Sequence, residues 1–169
     1  MGRTEIERTV RPSLLDRLSD PEPGLAADPP VTREESERRY RRGVERDVEA
    51  LLNTRRTMYP APDWCPELRR SVYDYGLLDT TGMPVGTKHG RDRLLASLQD
   101  AIERFEPRLA QPRVRLIDAQ QVRAPQIRFV LEAALIMDPG REDVVFDTVL
   151  EVASGEYDVH DADGPSSGG

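Results

Sequence analysis

The stretch LLASLQDAIERFEPRLAQPRVRL, residues 94–116, changes its hydrophobic period halfway. Leu94, Leu95, Leu98, Ala101, Ile102 and Phe105 recur at helical spacing and form one apolar stripe, with Arg91, Arg93, Asp100 and Glu103 facing away. Pro107 ends that helix at Glu106-Pro107-Arg108, because it lacks an N–H and forces the residue before it out of the helical region. Beyond Pro112 the period is two: Val114 and Leu116 alternate with Arg113 and Arg115, as in a half-buried strand.

The alternation continues toward the C-terminus. Ile127, Phe129, Leu131, Ala133 and Leu135 predict a longer second strand, and Asp138-Pro139-Gly140-Arg141 a turn. A third strand follows, with Val144, Phe146, Thr148, Leu150 and Val152 inward. Ser154-Gly155 then turns the chain into a short edge strand at Tyr157-Asp158-Val159. Residues 161–169 read as a disordered, acidic, Gly/Ser-rich tail.

Toward the N-terminus, Cys65-Pro66-Glu67-Leu68 predicts a second helix with Leu68, Val72 and Tyr75 as its stripe and Gly76 as its stop. Residues 79–87 form a loop rich in turn formers. A long first helix starts at Thr32, which with Glu35 makes a capping box. It buries Tyr40, Val44, Val48, Leu51 and Leu52 and ends at Asn53-Thr54-Arg55-Arg56, where the arginines suit the helix dipole. Its outer face pairs acids with arginines four residues on, at 34/38, 35/39 and 37/41. Residues 1–31 are an arm: a one-turn amphipathic helix carrying Leu14, Leu15 and Leu18, then a Pro-rich spacer at 20–30. One turn is too short to stand alone in water, so it docks either on its own domain or on a partner. The expected plan is α+β, with N-terminal helices followed by a small antiparallel β-meander, as one domain over residues 32–160.

The 169 residues carry 24 Lys plus Arg against 31 Asp plus Glu, a net charge of -7, which argues against a general nucleic-acid binder. The arginines of the first helix are interleaved with acids and read as a solvated face. A single cysteine, Cys65, excludes an intramolecular disulfide and a multi-cysteine metal site. No apolar run fits a signal peptide or a membrane span, so the expected location is cytoplasmic.

Catalysis finds little support. His89 and His160 have no patterned partners, and Cys65 has no matched histidine. No ligand spacing suggests a metal, and no phosphate loop ending in Gly-Lys-Ser/Thr is present. Glu106 stands out for another reason: it sits at the negative end of a helix, where the dipole disfavours a carboxylate by about 0.3–1 kcal/mol. Arg108 or an arginine from another chain compensates, and Pro107 fixes the direction of both side chains. As a general acid Glu106 is poorly set, since a neighbouring guanidinium favours the carboxylate form. Two readings stay open: an internal ion pair tying helix to sheet, or a rigid docking corner.

Ile102-Glu103-Arg104-Phe105-Glu106-Pro107-Arg108-Leu109 resembles the Glu-Pro-Arg signature of the baseplate wedge proteins of contractile phage tails. Pro12-Ser13-Leu14-Leu15-Asp16-Arg17-Leu18 and Val48-Glu49-Ala50-Leu51-Leu52-Asn53-Thr54-Arg55-Arg56 look like the arm and the first-helix ending of the TssE family of type VI secretion baseplate subunits. Tyr75-Gly76-Leu77 and Asp79-Thr80-Thr81-Gly82 fit its middle loop, and the resemblance spans about residues 12–159. It implies a wedge-like fold and a structural part without catalytic residues, cofactor or metal. It also implies binding to TssF and TssG, a first sheath layer of TssB and TssC laid on the open edge of the meander, and TssK contacted indirectly. The cytoplasmic baseplate docked at the inner membrane is the implied location, without membrane insertion or nucleic-acid binding. The residues expected to meet partners are Glu106, Pro107, Arg108, Arg55, Arg56, Leu14, Leu15 and Leu18. The family's old lysozyme-like label, together with Glu106, suggests the alternative of a peptidoglycan-cleaving enzyme.

Overall fold

The helix before Pro107 stops where the proline predicts, and the sheet follows it directly. The computed structural model describes residues 9–19, 31–79, 83–117, 126–138 and 140–162. Among the described residues, three α-helices, α1 (Leu14–Leu18), α2 (Arg33–Asn53) and α3 (Lys88–Phe105), precede four strands, β1 (Leu109–Leu116), β2 (Gln126–Met137), β3 (Gly140–Glu151) and β4 (Glu156–Asp161). The strands form one antiparallel meander in the order β1-β2-β3-β4. The spacer at 20–30, Thr80-Thr81-Gly82, Pro139 and the tail from 163 onward lie outside the described residues.

The helices cover one face of the sheet, α3 over β1 and α2 over β4. Between them lie Val44, Val48, Leu51 and Leu52 of α2 and Leu94, Leu98, Ala101 and Ile102 of α3, together with Phe129, Leu131, Phe146 and Leu150 of the sheet. Burying Phe129 or Phe146 contributes roughly 1.5–3 kcal/mol each. Tyr40 and Phe105 pack at the margin of this core.

Several local expectations are corrected. The segment after Cys65 forms two 3-10 turns, Pro66–Arg70 and Val72–Asp74, in place of an α-helix. Ser71 separates them: its hydroxyl donates to the Leu68 carbonyl at 2.9 Å and accepts from the Tyr73 N–H at 3.2 Å, competing with helical bonding. Val72, expected on an inner stripe, is 91% exposed. Arg55 and Arg56 lie beyond α2, not in its last turn. Residues 54–56 instead form a short parallel bridge with Leu77, through Arg56 N–H to Leu77 O at 2.7 Å and Leu77 N–H to Thr54 O at 2.8 Å. Gly76 makes that approach possible: its φ is +98°, and a side chain there would run into the Thr54 carbonyl.

On α2, Thr32 accepts from the Glu35 N–H at 3.2 Å, but the Glu35 carboxylate turns outward to Arg39 and Arg38, so only half of the capping box forms. The 37/41 pair is replaced by Arg33–Glu37 at 2.7 Å, while Arg41 reaches across to Glu142 and Asp161. β1 starts before Pro112, at Leu109, with its register broken between Ala110 and Arg113 and Gln111 at φ 53°. The bulge places a residue without an N–H where no ladder bond is required. Val152 is drawn out of β3 by the turn that Gly155 closes, donating to Glu151 O at 2.8 Å. Asp161, read from the sequence as the start of the tail, ends β4.

Candidate partner-docking site

Glu106 caps the C-terminus of α3, its N–H donating to Ile102 O at 2.9 Å. The carboxylate lies inside the corner, at 4% exposure. Both of its oxygens are taken by Arg108. Nε donates to Oε1 at 2.6 Å, the Arg108 backbone N–H donates to the same oxygen at 3.2 Å, and Nη2 donates to Oε2. The fork geometry is the strong, charge-assisted kind. Arg108 also donates from Nη2 to Asp47 Oδ2 of α2 at 2.7 Å, and its guanidinium lies 6.0 Å from the Tyr40 ring centre. Ile136 N–H donates to Arg108 O at 2.8 Å, stitching the corner to β2.

Burial works against the Arg108 charge, yet the hydrogen bonds and charges of Glu106 and Asp47 outweigh it and hold its proton more tightly than usual. Tyr40 is pushed up, first by burial, with the Arg108 charge opposing. The Glu106–Arg108 pair is internal and ties the end of α3 to the start of β1. Pro107 is exposed, and the Arg108 guanidinium keeps an outer edge.

The arm lies along α2 from Ser36 to Arg46. Val10 is buried, and its carbonyl accepts from Ser36 Oγ at 2.8 Å. Ser13 caps α1 by accepting from the Asp16 N–H at 3.1 Å, and Asp16 pairs with Arg46 at 2.9 Å. Leu14, Leu15 and Leu18 turn away from the core, at 70%, 60% and 75% exposure. The arm is thus held by its polar side, with its leucines outward.

Arg55 and Arg56 part company. Arg55 is exposed and reaches Asp79 at 3.8 Å, whereas Arg56 turns inward to the buried Asp74 at 3.4 Å. Arg104 closes the same cluster, donating to Asp74 and, at 3.0 Å, to Asp100. The arm and the corner are neighbours on α2, joined through Arg46 and Asp47, while the 55/56 pair lies past the C-terminal end of that helix. Sequence reasoning missed Asp47, whose signal was its position: it sits between Val44 and Val48 and seven residues after Tyr40, on the flank of the buried stripe. It also missed Asp74, and the exposure of Met58, Tyr59 and Trp64.

Cys65, His89 and His160, which the sequence left without catalytic partners, sit on three different elements. Cys65 is half-buried before the first 3-10 turn, His89 is exposed in α3, and His160 in β4 pairs with Asp158 at 3.0 Å. Among the described residues no group of three His, Cys, Asp or Glu side chains is placed to hold a metal ion, and no helix is long and apolar enough to cross a membrane.

No curated protein and no solved structure matches the chain. Residues 38–140 match the family described as baseplate wedge protein gp25, and that span runs from α2 through the Glu106–Arg108 corner to the β2–β3 turn. Since the match covers more than half of the 169 residues, the chain belongs to the gp25 family of baseplate wedge proteins, structural components of phage-tail-like baseplates.

Proposed function

We propose that this protein is a baseplate subunit of a type VI secretion machine, of the TssE kind. In this reading it joins TssF and TssG into a wedge on the cytoplasmic side of the inner membrane and helps to start the TssB–TssC sheath, with TssK contacted only indirectly. The observation that carries the reading is the Glu106-Pro107-Arg108 corner, a rigid junction whose internal pairing leaves Pro107 at the surface. Glu106 then positions the corner, and Pro107, the outer edge of Arg108, the arm leucines and Arg55 make the contacts. Arg56 contributes from inside, by holding the segment that follows α2. A carboxylate fully engaged by its own arginine suits a part without turnover.

The two sheet edges support a role beneath a sheath. The β4 edge is covered by α2: Asn53 Nδ2 donates to Tyr157 O at 2.8 Å, Tyr157 N–H donates to Asn53 Oδ1 at 2.8 Å, and Asp161 N–H donates to Glu45 Oε1 at 3.4 Å. On β1, Ile117 N–H bonds inward to Arg128 O, so by antiparallel alternation the main-chain groups of Val114 and Leu116 face outward. That edge suits the addition of a sheath strand.

Co-expression with TssF and TssG tests the proposal. The tagged chain is expected to capture both, and replacing Pro107 with Asp is expected to weaken capture while the fold persists. A wild-type chain that captures neither partner overturns the reading.

A further inference from the structure

The corner and the arm are joined by side chains that no motif marks. Asp16 of α1 pairs with Arg46 at 2.9 Å, and Arg46 also pairs with Asp47 at 2.8 Å. Asp47 presents its other oxygen to Arg108 at 2.7 Å, and Arg108 ends on Glu106. Charges therefore alternate in one ladder from the arm, across α2, to the helix–sheet corner. Gly43 lets the arm come this close: a side chain there would meet Asp16 Oδ2 at 3.0 Å. Ser13 Oγ donates to that same Oδ2 at 2.6 Å and leaves Oδ1 for Arg46.

We infer that Asp16, Arg46 and Asp47 are positioning residues which hold the arm and the Glu106-Pro107-Arg108 corner as one docking unit. The inference rests on the wedge reading above and adds that one partner surface spans Leu14, Leu15, Leu18 and Pro107. Three observations carry it. Asp47 is shared, one oxygen going to each arginine, so it cannot shift toward one without loosening the other. The leucines are exposed on a helix whose polar side is already anchored by the Asp16–Arg46 pair, so their orientation is fixed before a partner arrives. The corner is stitched to β2 through Ile136, so the ladder ends on a rigid element.

The test uses the full chain in two measurements. The first is capture of TssF–TssG by Asp47→Asn, Asp47→Glu, Asp16→Asn and Arg46→Gln. Asp47→Asn is expected to lower apparent affinity about tenfold, the loss of one hydrogen bond to a charged group. Asp47→Glu is expected to recover part of that loss, and Asp16→Asn to lower affinity less. The second measurement is the Nε–Hε resonance of Arg108 in the isolated, isotope-labelled protein. It is expected to move in Asp47→Asn and, by relay, in Arg46→Gln and Asp16→Asn. An Arg108 resonance unmoved by Asp16→Asn and Arg46→Gln, or capture unchanged in all four variants, overturns the inference. If the wild type captures no TssF–TssG, the wedge reading fails, and the resonance still decides whether the ladder exists.

Discussion

Two buried carboxylates hold this molecule together in different ways. Glu106 meets its arginine two residues away, across a proline that fixes the direction of both. Asp74 meets Arg56 and Arg104, which are 18 and 30 residues away, and only the fold brings them together. The first pair aims a corner outward. The second ties the 3-10 turns between α2 and α3 back onto the body, helped by Arg104 donating to Arg69 O. A local pair is legible because its geometry is set by the chain itself. A non-local cluster has no signature until the helices that carry it are packed.

The largest effect is expected where a charge loses its chief partner. Glu106→Ala leaves the Arg108 guanidinium largely buried with only Asp47. This should cost about 3 kcal/mol, below the full penalty of an orphaned buried charge because a fifth of Arg108 still meets water. For a domain of this size the melting temperature should fall by roughly 10 °C. Glu106→Gln, which keeps one acceptor, should lose about half as much. Equal melting temperatures for wild type and Glu106→Ala would mean that the corner is not structural at all.

Gly76→Ala comes next. Its positive φ is strained for any side chain, and the Thr54 carbonyl must move to make room, so a loss of about 2 kcal/mol is expected. Because Thr54 moves together with the bridge at residues 55–77, Arg56 should lose its hold on Asp74, and protease cleavage between Met58 and Val72 should speed up. Cleavage at the wild-type rate in a destabilised variant would separate the bridge from the Asp74 cluster. Asp74→Asn is expected to cost less, about 1.5 kcal/mol, since Arg104 keeps Asp100 and the Arg69 carbonyl. A loss in Asp74→Asn as large as in Glu106→Ala would erase the contrast between the two clusters.

The same contrast explains which parts of the molecule the sequence announces. The apolar stripes of α2 and α3 and the alternation in β2 and β3 are local periodicities, and Val44, Val48, Leu98, Phe129 and Phe146 lie buried where those periods put them. Pro66 suggested a helix, but Ser71 offered the backbone a competing set of bonds that periodicity does not register. Pro112 suggested a strand boundary and marks a bulge inside the strand, because only the partner strand determines which N–H groups are needed. At the candidate site, adjacency offered Arg108 as one of two partners for Glu106, while Asp47 required knowing that α2 packs beside the corner, and Arg46 with Asp16 that the arm folds back across Gly43.

The smallest effect bears on the arm and follows from the sign of one titration. Burial pushes the Asp16 carboxyl up, but hydrogen bonds from Ser13 and Arg46 and the Arg46 charge prevail and set it below its ordinary 3.8. A carboxyl lowered by folding stabilises the docked arm above the ordinary value, and that contribution disappears as pH falls through the lowered one. Arm docking should therefore be flat from neutral pH down to about 5, and weaken only in acid below 3.8. Arg46 is half exposed, so the contribution is about 0.5 kcal/mol, readable from the Asp16 amide that Ser13 caps but not from global melting. In Asp16→Asn the acid step should vanish at the neighbouring arm amides while the Glu106–Arg108 corner stays folded. An arm that loosens between pH 7 and 5 would point to a different titrating group and would remove Asp16 as the anchor that distinguishes this polar, reversible contact from the buried pair at the corner.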